Sequence, residues 1–497
     1  MQARVLCAIA VLIAALASGC TQHNEPAHQT PTKTTGLTWN FEDLAKRPVI
    51  SSEPAALAAA VDTAAVWQHL EQFQRIADVS DGNRAAGTAG YDRSADYVQG
   101  MLKARGFDVQ VQEFEYDFIR VKSATMTAGG RTISPQILQG SMGTTASGIT
   151  ARVQPLAPGL KGCSEDDYAG VDVRGTIVLV DRGDCPFRQK ETVAHDVGAL
   201  AVLVANSKDV NDAARGQAEP HLLPIVMLAK RDAETLRATS GDVTLIVDAP
   251  RQVIKTRNVF AQTTTGDPHE VVVLGGHLDS VRAGPGINDN GSGSATVLET
   301  ALALGPHPNL TNAVRFMFFS AEEDGLIGSG KYVKSLSHDE QLDIALMLNA
   351  DMIASPNPGY FVYNDATDGS DTAPRGSESI RAAFTDRFRA EGITVDGFPF
   401  NSRSDYGPFL KAGIPVGGVA AGDDGLKTGE EAQAWGWGGR PDEEFDPNYH
   451  QPGDTLNNID KDALGRNASA FAYLVGLFGH TLDGEYAVPK RIERAPA

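Results

Sequence analysis

The stretch "VVVLGGHLDSVRAGPGINDNGSGSATVLET", residues 271 to 300, joins an apolar run to a histidine, an aspartate and a glycine-rich loop that holds Asp289, after which a helical pattern begins. A continuous apolar run bounded by glycine reads as a strand buried on both faces, as in a parallel sheet covered by helices. In an open α/β sheet the ligand crevice lies at the carboxyl ends of the strands. Polar groups placed where such a strand meets its loop therefore point to a site.

Working outward, the pattern repeats. From residue 253 onward "EVVVLGG", a helix after Gly293, "AVRFMFFS", a helix after Gly325 and "LDIALMLNA" follow one another. This alternation predicts an α/β fold with a mostly parallel central sheet flanked by helices. Upstream, Val66, Leu70, Phe73 and Ile76 recur at helical spacing, a second helix is predicted over 91 to 104, and "DVQVQEFEY" alternates as a strand. Between about residues 131 and 249 the texture changes to short strands, "GTIVLVDRG", "GALAVLVANS" and "LPIVMLAK", cut by Gly, Asp and Pro turns. That block reads as a separate β-rich insert.

Three successive strands end in acid, base or metal-ligating groups: "VVVLGG" in His277, "VRFMFFSA" in Glu322 and Glu323, and "IALMLNA" in Asp351. The loop after His277 adds Asp289, and "FDPNYHQPGD" offers Tyr449 and His450. Two imidazoles and three carboxylates, one of them able to bridge, suit a pair of zinc ions, whose remaining charge would acidify a shared water. Adjacent Glu322 and Glu323 divide most economically into one ligand and one general base. Asp279, two residues after His277, is placed to hold the second ring nitrogen of that imidazole. Other histidines, such as His69, His195, His307 and His480, lack carboxylates at comparable strand ends and read as ordinary. "GLIGSGKY", 325 to 332, imitates a phosphate-binding loop, but Tyr332 replaces the magnesium-holding hydroxyl and three acidic residues would repel phosphates.

The 497 residues carry 43 Lys and Arg against 63 Asp and Glu, a net charge of −20 that opposes binding to nucleic acid. "MQARVLCAIAVLIAALASGC" places Arg4 before a short apolar run and small residues ending at Cys20, which reads as an export signal over 1–19. The run is shorter than the about 20 residues that a membrane-spanning helix needs. The signal resembles that of bacterial lipoproteins, in which Cys20 would be lipidated. Residues 20–50 read as a polar tether. Cys163 and Cys185 remain as a pair in an oxidising context, either a bridge stabilising the fold by roughly 3 kcal/mol or a two-cysteine metal site.

The segments "GGHLDSV", "GPGINDNGSG", "AEEDGLIGS", "DMIASPNPGY", "SRSDYGPF", "AGIPVGG" and "FDPNYHQPGDTLNNID" resemble, in order, those of exported di-zinc aminopeptidases of the leucine aminopeptidase and aminopeptidase Y type. "GNRAAGTAGY", 82 to 91, is similar to that family's opening loop. The resemblance implies a zinc exopeptidase fold, with His277, Asp289 and Asp351 holding one zinc and Asp289, Glu323 and His450 the other. It also implies Glu322 as the general base, Tyr449 as a hydrogen-bond donor to the oxyanion, and Glu322, Asp351 and the backbone near Arg403 as the grip on a free amino group. Where several relatives carry an aromatic residue this chain has Ala420, which would enlarge or flatten a pocket for apolar side chains. "GCSEDDYAG", "GTIVLVDRGDCPFRQK" and "AHDVGALAVLVAN" resemble a protease-associated domain, in which the two cysteines pair.

The domains expected on this basis are a discontinuous zinc peptidase domain over 51–130 and 251–485, the protease-associated domain over 131–250 and a tail over 486–497. The expected substrates are peptides, the expected membrane link is a lipid anchor only, and the expected state is a monomer, either held at the cell envelope or secreted. The scaffold also resembles that of zinc carboxypeptidases and glutaminyl cyclases. A non-catalytic binding protein that has lost its metals is the remaining alternative.

Overall fold

The computed structural model describes residues 37, 39, 44–138, 140–207, 222–238, 241–364 and 372–494. The expected signal, Cys20 and most of the tether lie outside these residues. Eight strands build the first sheet: β1 (Val109–Ile119), β2 (Arg251–Gln262), β3 (Asp267–His277), β4 (Asn312–Phe319), β5 (Ile344–Ala350), β6 (Phe361–Asn364), β7 (Asp396–Pro399) and β8 (Val416–Ala420). Their spatial order is β1-β2-β4-β3-β5-β8-β6-β7. The central strands β4, β3, β5 and β8 run parallel, as do β6 and β7. Antiparallel pairs flank them, β1 with β2, β2 with β4 and β6 with β8. The division follows the residues. The run from Val271 to the end of β3 is wholly buried, whereas β1 alternates with one face in solvent, which antiparallel strands tolerate.

Helices cover both faces. Thr63–Asp78 begins where the Asp62 side chain accepts from the Ala65 N–H and buries Val66, Leu70, Phe73 and Ile76 as their spacing predicts. Ala89–Arg105 ends at Gly106, whose φ of 101° is the left-handed stop that glycine supplies. Gly293–Leu304 is buried along its whole length, because helices 63–78, 89–105 and Lys461–His480 all pack on it. Its nearly uniform apolar sequence suits that central position.

The insert forms a second eight-stranded sheet, in which the three apolar runs Ile177–Asp181, Ala201–Ala205 and Ile225–Leu228 lie side by side in parallel. This sheet starts earlier than the expected boundary at 131. Ser123–Ala128 pairs along its length with Asp242–Asp248, because Ala124 and Met126 bury their side chains in the same core as Leu245 and Val247. Cys163 and Cys185 form a disulfide, with Cα atoms 5.9 Å apart.

Both ends of the described chain are tied down further than expected. In the supposed tether, Leu44–Lys46 forms a 3-10 turn, and Arg105 donates to the carbonyls of Arg47 and Pro48. Arg47 also pairs with buried Glu299, whose carboxylate is hydrogen-bonded to His69 Nε2 at 3.1 Å, while His69 Nδ1 meets the Tyr97 hydroxyl at 2.7 Å, so His69 is a satisfied core histidine. The tail is held where Arg491 Nε donates to Asp343 at 2.6 Å and Arg494 Nη1 donates to the Leu342 carbonyl at 2.8 Å.

Candidate metal centre and active site

His277 closes β3 with Nε2 3.2 Å from Asp289 Oδ1 and 3.3 Å from Asp351 Oδ1. His450 Nε2 lies 3.2 Å from Asp289 Oδ2 and 3.0 Å from Glu323 Oε2. Asp289 thus presents one oxygen to each imidazole. Glu322 stands further back, with Oε2 3.9 Å from His277 Nε2. His277 with Asp289 and Glu323, and His277 with Glu322 and Asp351, each offer ligand atoms that lie within 4.8 Å of one another.

Register brings these groups together. His277 pairs with Phe319 at the end of β4, three residues before Glu322, and Gly275 pairs with Asn349 of β5, two residues before Asp351. A Cβ at Gly276 would lie 2.5 Å from the Ala350 carbonyl, so the residue before the histidine must be glycine for the strands to approach. The Asn290 amide reaches across to the same carbonyl at 2.8 Å and ties the turn carrying Asp289 to β5. Asp454 accepts from the N–H groups of Asn288 at 2.7 Å and Asp289 at 2.9 Å. Asp351 Oδ2 accepts from the Ser404 hydroxyl at 2.6 Å, and Ser404 in turn accepts from Asn349 Nδ2 at 2.8 Å. Ala321, Met352, Ser402 and His450 have φ between 48° and 58°. Each such non-glycine residue costs about 1 to 3 kcal/mol, and their concentration beside Glu322, Asp351, Arg403 and His450 is the pattern of a site that stores backbone strain.

The electrostatics are those of a donor set with too much negative charge. Burial opposes protonation of His277, yet Asp351 and Glu322 hold its pKa well above the usual 6.5. Burial likewise opposes protonation of His450, and Glu323 with Asp289 raises its pKa well above that value. Burial would push Asp289 up, but its hydrogen bonds to both imidazoles carry it well below the ordinary carboxylate range. For Glu322, Glu323 and Asp279 the imidazoles oppose burial only in part. Burial pushes Glu322, Glu323 and Asp279 up, with neighbouring carboxylates adding to the shift. His277 Nε2 and Asp351 Oδ1 are buried without a hydrogen bond of proper geometry. Buried carboxylates facing two imidazoles with unused lone pairs fit a pair of divalent cations, and nitrogen with oxygen donors suits zinc.

These shifts carry a signed prediction. Groups whose folded pKa is raised, here both imidazoles, Glu322, Glu323 and Asp279, stabilise the metal-free fold at low pH and lose that contribution as pH rises through the folded pKa. Asp289 runs the other way, losing its contribution only in strong acid. Zinc requires deprotonated ligands, so the rise in melting temperature on adding zinc to chelated protein grows from about pH 5.5 to about pH 8. A thermal-shift series with a gain that is flat or falling over that range contradicts the assignment.

One expected contact is corrected. His277 Nδ1 is paired at 3.1 Å with the main-chain carbonyl of Asp279, while the Asp279 carboxylate is 3.8 Å away. That carboxylate instead accepts from the Glu322 N–H at 3.3 Å. Asp279 still holds the imidazole, through its backbone, and its side chain steadies the neighbouring glutamate.

A cavity opens over these groups. Glu322, Asp289, Asp351, His450 and Tyr449 line it, and Glu323 does not. Tyr449 stacks on His450 with ring centroids 3.9 Å apart, and its hydroxyl accepts from Arg403 Nη2 at 3.3 Å. Burial, with Asp289 nearby, pushes the Tyr449 phenol well above its usual value and keeps it protonated and able to donate. Arg403 Nη1 also faces Asp423 at 3.6 Å, so its side chain is engaged within the rim. Met352, Tyr363, Phe398 and Ala420 supply an apolar wall. Sequence reading singled out neither Ser404 nor Asp405. Asp405 is fully buried beside the centre, where burial and the charges of Asp351 and Glu323 push its carboxyl up to about 7. Both lie in "SRSDYGPF", but nothing in their spacing announces which of them turns inward.

Known proteins share this architecture. Residues 258–475 match the model of peptidase family M28, and residues 149–236 match that of the PA domain. The chain is 43% identical to the probable lipoprotein aminopeptidase LpqL of Mycobacterium tuberculosis over 98% of its own length and 96% of the relative's. It is 36% identical to an aminopeptidase of Pseudomonas aeruginosa, covering 89% of this chain and 86% of that one. Among solved structures, an aminopeptidase from Aneurinibacillus sp. strain AM-1 superposes with a TM-score of 0.67 at 24% identity, covering 87% of this chain and 97% of that one. The Bacillus subtilis zinc aminopeptidase BSAP does so with a TM-score of 0.63 at 26% identity, over 86% and 98% of the two chains. The chain belongs to peptidase family M28 and carries an inserted PA domain.

Proposed function

We propose that this protein is a zinc-dependent aminopeptidase that removes N-terminal residues from peptides. The observation that carries the reading is the placement of Asp289 between His277 and His450, with Glu322 standing free of that bridge at the wall of the cavity. Two zinc ions bound there would supply Lewis-acid polarisation of the scissile carbonyl and acidify the attacking water. His277, Asp289 and Asp351 would hold one ion and Asp289, Glu323 and His450 the other. Glu322, its pKa pushed up by burial, takes the proton of the attacking water and returns it to the leaving amine. Tyr449 donates to the developing oxyanion, a contact typically worth about 3 kcal/mol in the transition state. Glu322, Asp351 and the backbone near Arg403 receive the free amino group.

The wall of Met352, Tyr363, Phe398 and Ala420 supports a preference for apolar N-terminal side chains. The N-terminal signature and the mycobacterial relative support export as a Cys20-anchored envelope lipoprotein. Among the described residues no helix is long and apolar enough to cross a membrane.

A peptide of about ten residues with a free leucine at its N-terminus tests the reading. Mass spectrometry is expected to show a ladder shortened from that end, and an N-acetylated copy is expected to stay intact. Shortening from the carboxyl end would favour a carboxypeptidase, and loss of ammonia without shortening, in a second peptide that begins with glutamine, a glutaminyl cyclase.

A further inference from the structure

Arg84 lies in the opening "GNRAAGTAGY" loop, far in sequence from every group of the metal centre, and its side chain is fully buried. Its guanidinium addresses three main-chain carbonyls: Nε donates to Pro285 at 2.9 Å, Nη2 to Gly286 at 2.5 Å, and Nη1 to Leu278 through a short hydrogen bond. The Arg84 N–H donates to the Ser280 hydroxyl at 2.9 Å, and that hydroxyl reaches the Gly284 carbonyl at 3.0 Å. The whole loop from 278 to 286 is thereby fastened to one residue. Burial lowers the Arg84 pKa to about 10, with Asp454, Asp279 and Asp289 opposing the shift, so the group stays charged at neutral pH. Its flat face rests 4.9 Å from the Phe73 ring centroid.

The loop it grips leads directly into Asp289. Gly286 has a φ of 64°, and a Cβ there would stand 2.4 Å from the Asp289 carbonyl, so the turn closes tightly on itself. On the far side Asp454 accepts from the Asn288 and Asp289 N–H groups, while its own carbonyl accepts from Ile287 at 3.3 Å. A buried cation thus holds the carbonyls before the turn, and a buried carboxyl group accepts from the amides within it. Neither side chain reaches the ligand atoms. The planar five-donor fork of arginine suits this task, since it can satisfy three carbonyls of fixed geometry at once.

We infer that Arg84 and Asp454 are positioning residues for the metal centre: together they clamp the 278–289 loop so that Asp289 presents one oxygen to His277 and the other to His450. The inference rests on the metallopeptidase reading and adds to it a pair of residues that act through the backbone.

Zinc titration of the chelator-stripped full chain against a chromogenic competitor tests it, alongside the absorption spectrum of the cobalt-substituted protein. In Arg84→Lys a point charge replaces the fork, and zinc affinity is expected to fall about tenfold to a hundredfold with an altered cobalt spectrum. Asp454→Asn loses one acceptor at the other end, and the same direction of change is expected. If both grip one loop, the effect of the double variant on affinity is smaller than the two single effects combined. A folded Arg84→Lys protein with wild-type zinc affinity and cobalt spectrum, differing only in a lowered melting temperature, would overturn the inference. Should that variant not fold, an unchanged affinity in Asp454→Asn overturns it equally. A wild-type protein that takes up no zinc in the same titration contradicts the metallopeptidase reading itself rather than the clamp.

Discussion

Glu322→Ala is expected to lower kcat on an aminoacyl p-nitroanilide by about a hundredfold to ten-thousandfold while the protein keeps its wild-type zinc content. The separation of the two readouts follows from position. Glu323 faces His450 at 3.0 Å across from Asp289, whereas Glu322 stands 3.9 Å from His277 and lines the cavity. Removing the carboxylate that faces the substrate space deletes a proton carrier and leaves the five proposed ligands in place. The pH profile carries a second signature: the limb of kcat/KM that reports the general base in the wild type disappears in the variant. If zinc content fell as steeply as kcat, Glu322 would be a ligand and the roles of the two glutamates would have to be exchanged.

Asp289→Ala is expected to abolish measurable turnover and to leave less than one equivalent of zinc. Asp289 is the carboxylate that meets both imidazoles at 3.2 Å, so its loss removes an anion from both positions at once. Charge stabilisation by a metal is worth several kcal/mol in such a reaction, so loss of the ions lowers kcat by roughly three orders of magnitude or more. Metal analysis of the purified variant decides the point. Two equivalents of zinc retained with activity intact would remove Asp289 from the bridging role. Its burial gives the substitution a second consequence. With the bridging anion gone, each imidazole loses one of the partners that hold its pKa up, so the metal-free variant is less stabilised at low pH than the metal-free wild type.

Much of this centre was legible in the sequence because its parts sit at strand ends. His277, Glu322, Glu323 and Asp351 each follow an apolar run, and parallel register alone brings adjacent strand ends to one edge. His450 and Tyr449 come from a loop, and resemblance to known motifs singled them out where periodicity could not. What escaped reading depends on backbone contacts. Arg84 acts on carbonyl oxygens, which carry no residue identity, across nearly two hundred positions of chain. Asp279 meets His277 through its carbonyl for the same reason. Nothing in the sequence joins Ser123–Ala128 to the insert, because "SATMTA" is short and half polar, and its partner Asp242–Asp248 lies more than a hundred residues away. The turn at Leu44–Lys46 reads as tether because the chain just after it is held by the Arg47–Glu299 ion pair and by the Arg47 and Pro48 carbonyls rather than by an apolar periodicity.

The most direct test of a zinc-dependent aminopeptidase is hydrolysis of leucyl p-nitroanilide by the purified protein, measured with its bound zinc, after chelation and after zinc is restored. Steady cleavage that chelation abolishes and zinc recovers, with no cleavage of the N-acetylated substrate, is the result predicted here. Cleavage that survives complete removal of metal, or a protein holding two zinc ions that leaves leucyl p-nitroanilide untouched, would contradict it.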